Sequence, residues 1–155
     1  MEILVIAIGL RAAPSEITYA IYDVDAKAVV DIDQIVVPTA MEWPAALKYV
    51  RSNLLDILRE YEVRCAGIRL AESNAKTQNI SRLHLEGVIQ EAFASSDLNG
   101  YYVGAIPTMA ARLGVPRGDM RGIIGGINRF EVEGWDKLSE KEREALLAAM
   151  GSLRV

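Results

Sequence analysis

Residues 3–11 read Ile-Leu-Val-Ile-Ala-Ile-Gly-Leu-Arg, ILVIAIGLR, and begin with six consecutive apolar residues, Ile3 to Ile8. A short run that is apolar at every position suits a strand covered on both faces, which is the place of a central strand between two layers of helices. Gly9 and Pro14 then read as turn signals. The strand carries no acidic residue, so whatever it presents at its end is not a carboxylate.

Working outward, EITYAIYD (16–23) alternates and is rich in β formers, and AKAVVDIDQIVV (26–37) repeats the pattern after the polar link Asp23–Asp25. Three strands with short links predict an antiparallel meander. From Glu42 the period changes: Trp43, Leu47, Val50, Leu54, Ile57, Leu58 and Tyr61 fall on one helical stripe, with Pro44 fitting the first turn. CAGIRLA (65–71) reads as a buried strand, and the polar loop ESNAKTQN leads into a helix bearing Ile80, Leu83, Gly87, Val88 and Ile89. YYVGAI (101–106) is a fifth strand, and Pro107 opens a short helix to about Leu113. Ser139 with Glu142 forms a capping box for SEKEREALLAAM. The expected architecture is one α/β domain over 1–155, a mixed sheet of three antiparallel strands followed by α/β crossovers, with helices on both faces.

A chain of 155 residues is long enough to bury a core without disulfides, and the single Cys65 forms no internal bridge. No apolar run reaches the ~18 residues of a spanning helix, and the N-terminus lacks a basic start, so a cytoplasmic protein without membrane contact is expected. The net charge of −4 argues against a dedicated nucleic-acid binder, but its distribution is uneven. Residues 1–63 hold 5 basic and 10 acidic groups, residues 64–129 hold 8 and 5, and residues 130–155 hold 4 and 6. An anionic partner, nucleic acid above all, is expected to meet the middle.

The order of elements, with a long helix after the third strand and a helix closing the domain, resembles the ribonuclease H-like fold. ILVIAIGLR is similar to the first strand and turn of RuvC-type Holliday-junction resolvases, whose pattern runs roughly I-x-G-I-D-P-G-L-R; Ile6, Gly9, Leu10 and Arg11 carry the match. AGIRLAESN resembles that family's fourth strand, HLEGVIQEAF its next helix, VGAIPTMAARLGV its fifth strand and following Pro-Thr, and Glu144-Ala-Leu-Leu-Ala-Ala149 its last helix. The run Glu86-Gly-Val-Ile-Gln90 also resembles small bacterial proteins of the same framework. The resemblance implies a nuclease framework in which carboxylates from the first strand, the fourth strand and the last helix hold two divalent ions. It places Ala7 at the first acid and Arg69 at the second, leaving Glu144 as the one acid retained.

Two degenerate ligand positions imply a pseudo-nuclease, a non-catalytic domain that binds nucleic acid or a protein and needs no cofactor. An Arg69–Glu144 ion pair would complete such a site. The competing expectation is a Mg²⁺-dependent nuclease with a displaced site drawn from Glu72, Glu86 and Glu144, with Asp23 and Asp25 as further candidates; a third is a dimerisation or interaction module, since resolvases of this type act as homodimers. Phosphate contacts are expected from Lys76, Thr77, Asn79 and Arg82 at the start of the second helix, with Asn79 or Ser81 as its cap in the plainer reading. Arg117, Arg121 and Arg129 lie in a glycine-rich stretch that reads as a flexible phosphate-binding loop or as a long connection. His84 and Ser81 share one helical face and make no triad, and Cys65 reads as a core residue.

Overall fold

The computed structural model describes residues 4–74 and 76–154, without the side chain of Arg154. Ile3, the start of the apolar opening, and Ala75, in the polar loop, lie outside the described residues.

Among the described residues five strands form one sheet in the order β3-β2-β1-β4-β5. They are β1 (Ile6–Ala12), β2 (Glu16–Asp23), β3 (Ala28–Val36), β4 (Cys65–Arg69) and β5 (Gly100–Gly104). β1 to β3 pair antiparallel as a meander, and β4 and β5 add parallel to β1 through helical crossovers. The helices are α1 (Trp43–Glu60), α2 (Ile80–Ala94), α3 (Ile106–Leu113), α4 (Met120–Ile124) and α5 (Glu140–Gly151). No helix among the described residues is long and apolar enough to cross a membrane.

The alternation of β1 sorts the core into two layers. Ile8 and Leu10 point to the side of α1 and α2, where they meet Val50, Leu54, Leu58, Leu85, Ile89 and Phe93. Ala7 points to the other side, among Met109, Met120, Trp135 and the Ala145–Ala149 run of α5. Helices therefore cover both faces, and β1 lies at the centre as its composition requires.

The first strand is displaced from its expected place. It begins at Ile6 and runs to Ala12, so Gly9 is mid-strand and not a turn. Pairing decides this, because Ile6 opposes Asp23 at the end of β2 and Ala12 opposes Ile17 near its start. Gly9 serves a packing purpose instead. It opposes Gly67 of β4, and a Cβ at Gly9 would lie 1.8 Å from the Ala145 carbonyl oxygen, while one at Gly67 would lie 2.5 Å from that of Ala148. The two glycines make a shallow trench in which the backbone of α5 rests directly on the sheet. The capping box fixes where that helix starts: Ser139 Oγ accepts from the Glu142 N–H, and the Glu142 carboxylate accepts from the Ser139 N–H at 2.8 Å.

The glycine-rich stretch after α3 is in part helical. It folds as a 3-10 turn at Arg117–Asp119 followed by α4, with Met120 and Ile123 buried. Arg143 of α5 holds the rest, donating to the carbonyls of Trp135, Ile124 and Asp136 at 3.0, 3.0 and 3.2 Å. Three backbone acceptors satisfied by one planar cation account for the order of a segment whose composition suggests mobility.

Candidate functional site

Four-residue patterns in the two central strands match: Ile8-Gly-Leu-Arg11 and Ala66-Gly-Ile-Arg69. The parallel register sets Gly9 beside Gly67 and Arg11 beside Arg69. In each strand the glycine and the arginine are two apart and so face the same side, toward α5. The trench brings α5 close, and Glu144, in its second turn, lies between the two guanidinium groups.

The contact is nearly symmetric. Arg11 Nε donates to Glu144 Oε2 at 2.8 Å, and Arg69 Nε donates to Glu144 Oε1 at 2.9 Å. Each arginine also uses its Nη1 on the carbonyl of the following residue, Ala12 at 2.8 Å and Leu70. Little of the cluster reaches water, with side-chain exposures of 17% for Arg11, 11% for Arg69 and 8% for Glu144. Charge-assisted bonds at these distances in a mostly buried place are strong, and they occupy both oxygens of the carboxylate.

Arg11, rather than Ala7, is thus the first-strand residue at this site. Ala7 is fully buried opposite Cys65 and Tyr22, four residues or about 13 Å along the strand. It faces the α5 side as Arg11 does, but deep in the core. Arg69 is where the sequence places it, and its pairing with Glu144 is present.

The three displaced-site carboxylates do not converge. Glu144 is held by the two arginines. Glu72 Oε1 accepts from the Ile106 N–H at 3.0 Å, at the start of α3, and lies 3.7 Å from Arg69 Nη2. Glu86 is buried on α2, where it accepts from the Ala71 N–H at 2.8 Å and from Arg82 Nε at 3.1 Å, securing the chain just after β4. Asp23 accepts from the Ala26 N–H in the β2–β3 hairpin, at the opposite end of β1 from Arg11. Among the described residues no three His, Cys, Asp or Glu side chains gather as a metal would need. The carboxylates present do not fit a two-metal centre.

The expected phosphate contacts separate into groups. Lys76 and Thr77 are exposed on the loop before α2. Asn79 is the N-cap of α2, its side chain accepting from the Arg82 N–H at 3.0 Å, and Ser81 is not the cap. Arg82 is largely buried; its Nε is bound to Glu86 and its Nη2 has no partner among the described residues. Desolvation lowers its pKa first, and the Arg11 charge adds to that, with Arg69 contributing further and Glu86 opposing. Three guanidinium groups thus crowd the ends of β1, β4 and α2. Arg129 lies 3.8 Å from Asp119 as an exposed ion pair. Arg117 and Arg121 are exposed and line an open cleft of about 460 Å³ whose other walls include Arg69, Glu72, Ile106 and Glu144.

The other candidates fall to structural roles. His84 Nδ1 accepts from Trp43 Nε1 at 2.8 Å across the α1–α2 groove. Cys65 is half-buried, and burial pushes its thiol pKa up, away from nucleophilic character. Arg112 donates to the Gly151 carbonyl and lies over the Tyr102 ring, securing the end of α5. Sequence reasoning missed Arg11 and Arg143. The repeated Gly-x-Arg in two strands is the signal for Arg11, and Arg143 left none, because its acceptors are backbone carbonyls.

No family model matches the chain, and no curated protein matches it. Solved structures do. "Thermus thermophilus RuvC structure" superposes with a TM-score of 0.67 at 11% identity, and "T. thermophilus RuvC in complex with Holliday junction substrate" with 0.69 at 10%. Each comparison covers 96% of this chain and 92% of the other. The chain has the ribonuclease H-like fold in its RuvC form.

Proposed function

We propose that this RuvC-like chain binds nucleic acid without cleaving it, with Arg11 and Arg69 standing where a resolvase would gather metal-binding acids. The observation that carries the reading is the occupation of both Glu144 oxygens by guanidinium groups at 2.8 and 2.9 Å. A dication ~4 Å from a guanidinium is repelled by about 8 kcal/mol at an effective dielectric near 20, and here there are two guanidiniums. Displacing them would also strip a buried carboxylate of its partners. No Mg²⁺ is needed for the binding role.

Two further facts support nucleic acid as the partner. The basic excess falls in residues 64–129, which include Arg69, Arg117 and Arg121 at the cleft. One similar structure, of T. thermophilus RuvC, is titled as a complex with a Holliday junction substrate. The test is a panel of duplex and branched DNA and RNA with Mg²⁺ or Mn²⁺. Binding with a clear salt dependence and intact product is expected. Reproducible cleavage that Glu144→Ala abolishes would overturn the proposal.

A second reading, an interaction module that pairs with another copy of itself, has one observation in its favour. A largely apolar groove of about 500 Å³ runs between α1 and α2, lined by Trp43, Leu47, Leu83, Gly87 and Val88. Sedimentation across a concentration range decides it: a concentration-dependent dimer lost on Leu83→Glu supports this reading, and a monomer throughout removes it.

A further inference from the structure

The cleft contains two kinds of cation. On its floor Arg69 is bound to Glu144, and on the opposite side of that carboxylate Arg11 is bound as well. On its wall the side chains of Arg117 and Arg121, four residues apart, make no ion pair or hydrogen bond among the described residues. The other arginines that crowd this end have partners: Arg82 has Glu86, Arg129 has Asp119, and Arg143 has three carbonyls. Two exposed guanidinium groups that line one cleft from a turn and a helix repel one another. An anion between them relieves that repulsion.

We propose that Arg117 and Arg121, with the open Nη2 edge of Arg69, form a binding site for one phosphodiester group of a nucleic-acid backbone. The proposal rests on the nucleic-acid reading above and names where the backbone is held. Arg69 Nη2 lies 3.7 Å from Glu72, beyond hydrogen-bonding distance, so this donor is available. Guanidinium forks match phosphate oxygens two at a time.

The charge balance selects the ligand. Arg69, Arg117 and Arg121 line the cleft with Glu72, Glu140 and Glu144, and Arg11 is bound to Glu144 as well. Four positive charges against three negative leave a single positive charge, which suits a singly charged diester better than a doubly charged free phosphate. Ile106 and Pro107 supply an apolar surface on the far side, suited to the sugar and base beside a backbone phosphate.

The experiment measures binding of a labelled oligonucleotide, over a series of salt concentrations, to the full chain and to Arg117→Ala/Arg121→Ala. Both side chains are exposed, so the variant keeps its fold, and circular dichroism checks that. The expected result is a loss of about tenfold or more in affinity and a salt slope shallower by about 2, one for each phosphate-contacting cation removed. Arg129→Ala, whose cation is spent on Asp119, is expected to change neither. Inorganic phosphate is expected not to displace the oligonucleotide at matched phosphate concentration.

Unchanged affinity and slope in the double variant would remove the site while leaving nucleic-acid binding intact. Displacement by inorganic phosphate would make it a site for the free anion and overturn the diester assignment. Cleavage of the oligonucleotide with Arg117- and Arg121-dependent binding would defeat the non-cleaving role and leave the site standing. Failure of the full chain to bind any oligonucleotide would defeat both.

Discussion

Glu144→Gln is the sharpest probe of the arginine–glutamate cluster. The glutamine keeps the size of the side chain and one carbonyl oxygen, so one of the two arginines retains an acceptor. The other meets an amide N–H₂ where Oε1 or Oε2 stood, and two donors face each other within about 3 Å, the present separation being 2.8 or 2.9 Å. Removing one member of a buried ionic cluster costs about 3–5 kcal/mol, most of it for the charge left behind. The side-chain exposures here, from 8 to 17%, admit some water, which places the expected loss near the lower end, about 3 kcal/mol. For a chain of 155 residues that is a fall of roughly 6–12 °C in Tm. The companion is the triple variant Arg11→Met/Arg69→Met/Glu144→Leu, which replaces the whole cluster with apolar side chains. Such replacements are often neutral or stabilising, so the triple variant is expected within about 1 kcal/mol of the parent or above it. Denaturant unfolding of the three proteins gives the numbers directly. If Glu144→Gln loses less than about 1 kcal/mol, the cluster is screened like a surface pair and the argument for it as a closed ionic unit is refuted. A triple variant as unstable as Glu144→Gln would assign the loss to packing of α5.

Four further outcomes follow from the same geometry. Arg11→Asp/Arg69→Glu places acids beside Glu144 at the ends of two adjacent strands, and Mn²⁺ is expected to raise its Tm by mass action, about 2.7 kcal/mol at one hundred times Kd, with no rise in the parent; equal rises in both would show the arginines are no barrier. Gly9→Ala drives a methyl group to 1.8 Å from the Ala145 carbonyl oxygen and 2.3 Å from the Ala149 nitrogen, so a loss of about 3 kcal/mol or more in denaturant unfolding is expected, and a loss under about 1 would contradict the trench. Gly87→Ala, with no atom beyond its neighbours and its own helix backbone within 4 Å of the added carbon, is expected to gain about 0.5–1 kcal/mol as a helical glycine replaced, and a loss would mean the α1–α2 groove needs its full width. Burial, then Asp33 and Asp31, pushes the Tyr19 pKa up to about 12. The unfolded value is about 10, so the neutral ring stabilises the fold below that pH and the contribution is lost as the pH rises through the folded value. Parent stability is therefore expected to fall more steeply between pH 10 and 12 than that of Tyr19→Phe, and parallel curves would rule this out.

The fold was legible because its signals are periodic. Alternation in EITYAIYD, the stripe from Trp43 to Tyr61 and the Ser139–Glu142 box each report a local preference that the tertiary structure had no reason to override. The start of β1 was misplaced because glycine carries two meanings. In isolation Gly9 signals a turn, whereas here it is a strand residue chosen for the close approach of α5, and that approach depends on Gly67, 58 positions away. The shift of the strand also moved the site. With Gly9 as a turn, Ala7 is the last strand residue but one; with Gly9 inside the strand, Arg11 takes that place beside Arg69. The Arg69–Glu144 pair was legible because opposite charges at two aligned positions invite each other. The displaced metal site was not excluded in advance because Glu72, Glu86 and Glu144 differ only in what they touch: a helix N-terminus, the backbone after β4, and two arginines.

An arginine–glutamate–arginine cluster at the ends of two strands and a helix has a physical logic of its own. Three carboxylates meeting at the ends of two strands and a helix repel one another and close only around metal ions, so the geometry of such a site depends on its cofactor. Two arginines and one glutamate attract instead: Glu144 holds both strands to α5 without an ion, beside the sheet–helix contact that the trench provides. The cluster holds two positive charges and one negative, and Arg82 beside Glu86 adds no net charge. A metal-dependent centre meets a phosphate with divalent cations; under the proposal above, this cleft meets it with a residual guanidinium charge backed by Arg117 and Arg121. On the proposed reading the cleft offers a phosphate positive potential without a Lewis acid, and such a site binds nucleic acid as a ligand. It follows that lowering the charge on Glu144 should tighten nucleic-acid binding in any folded variant, the opposite of its effect in a metal centre, where loss of a carboxylate weakens the grip on the phosphate. The sign of that change, measured with Glu144→Gln below its Tm, separates the two kinds of site without any assay of cleavage.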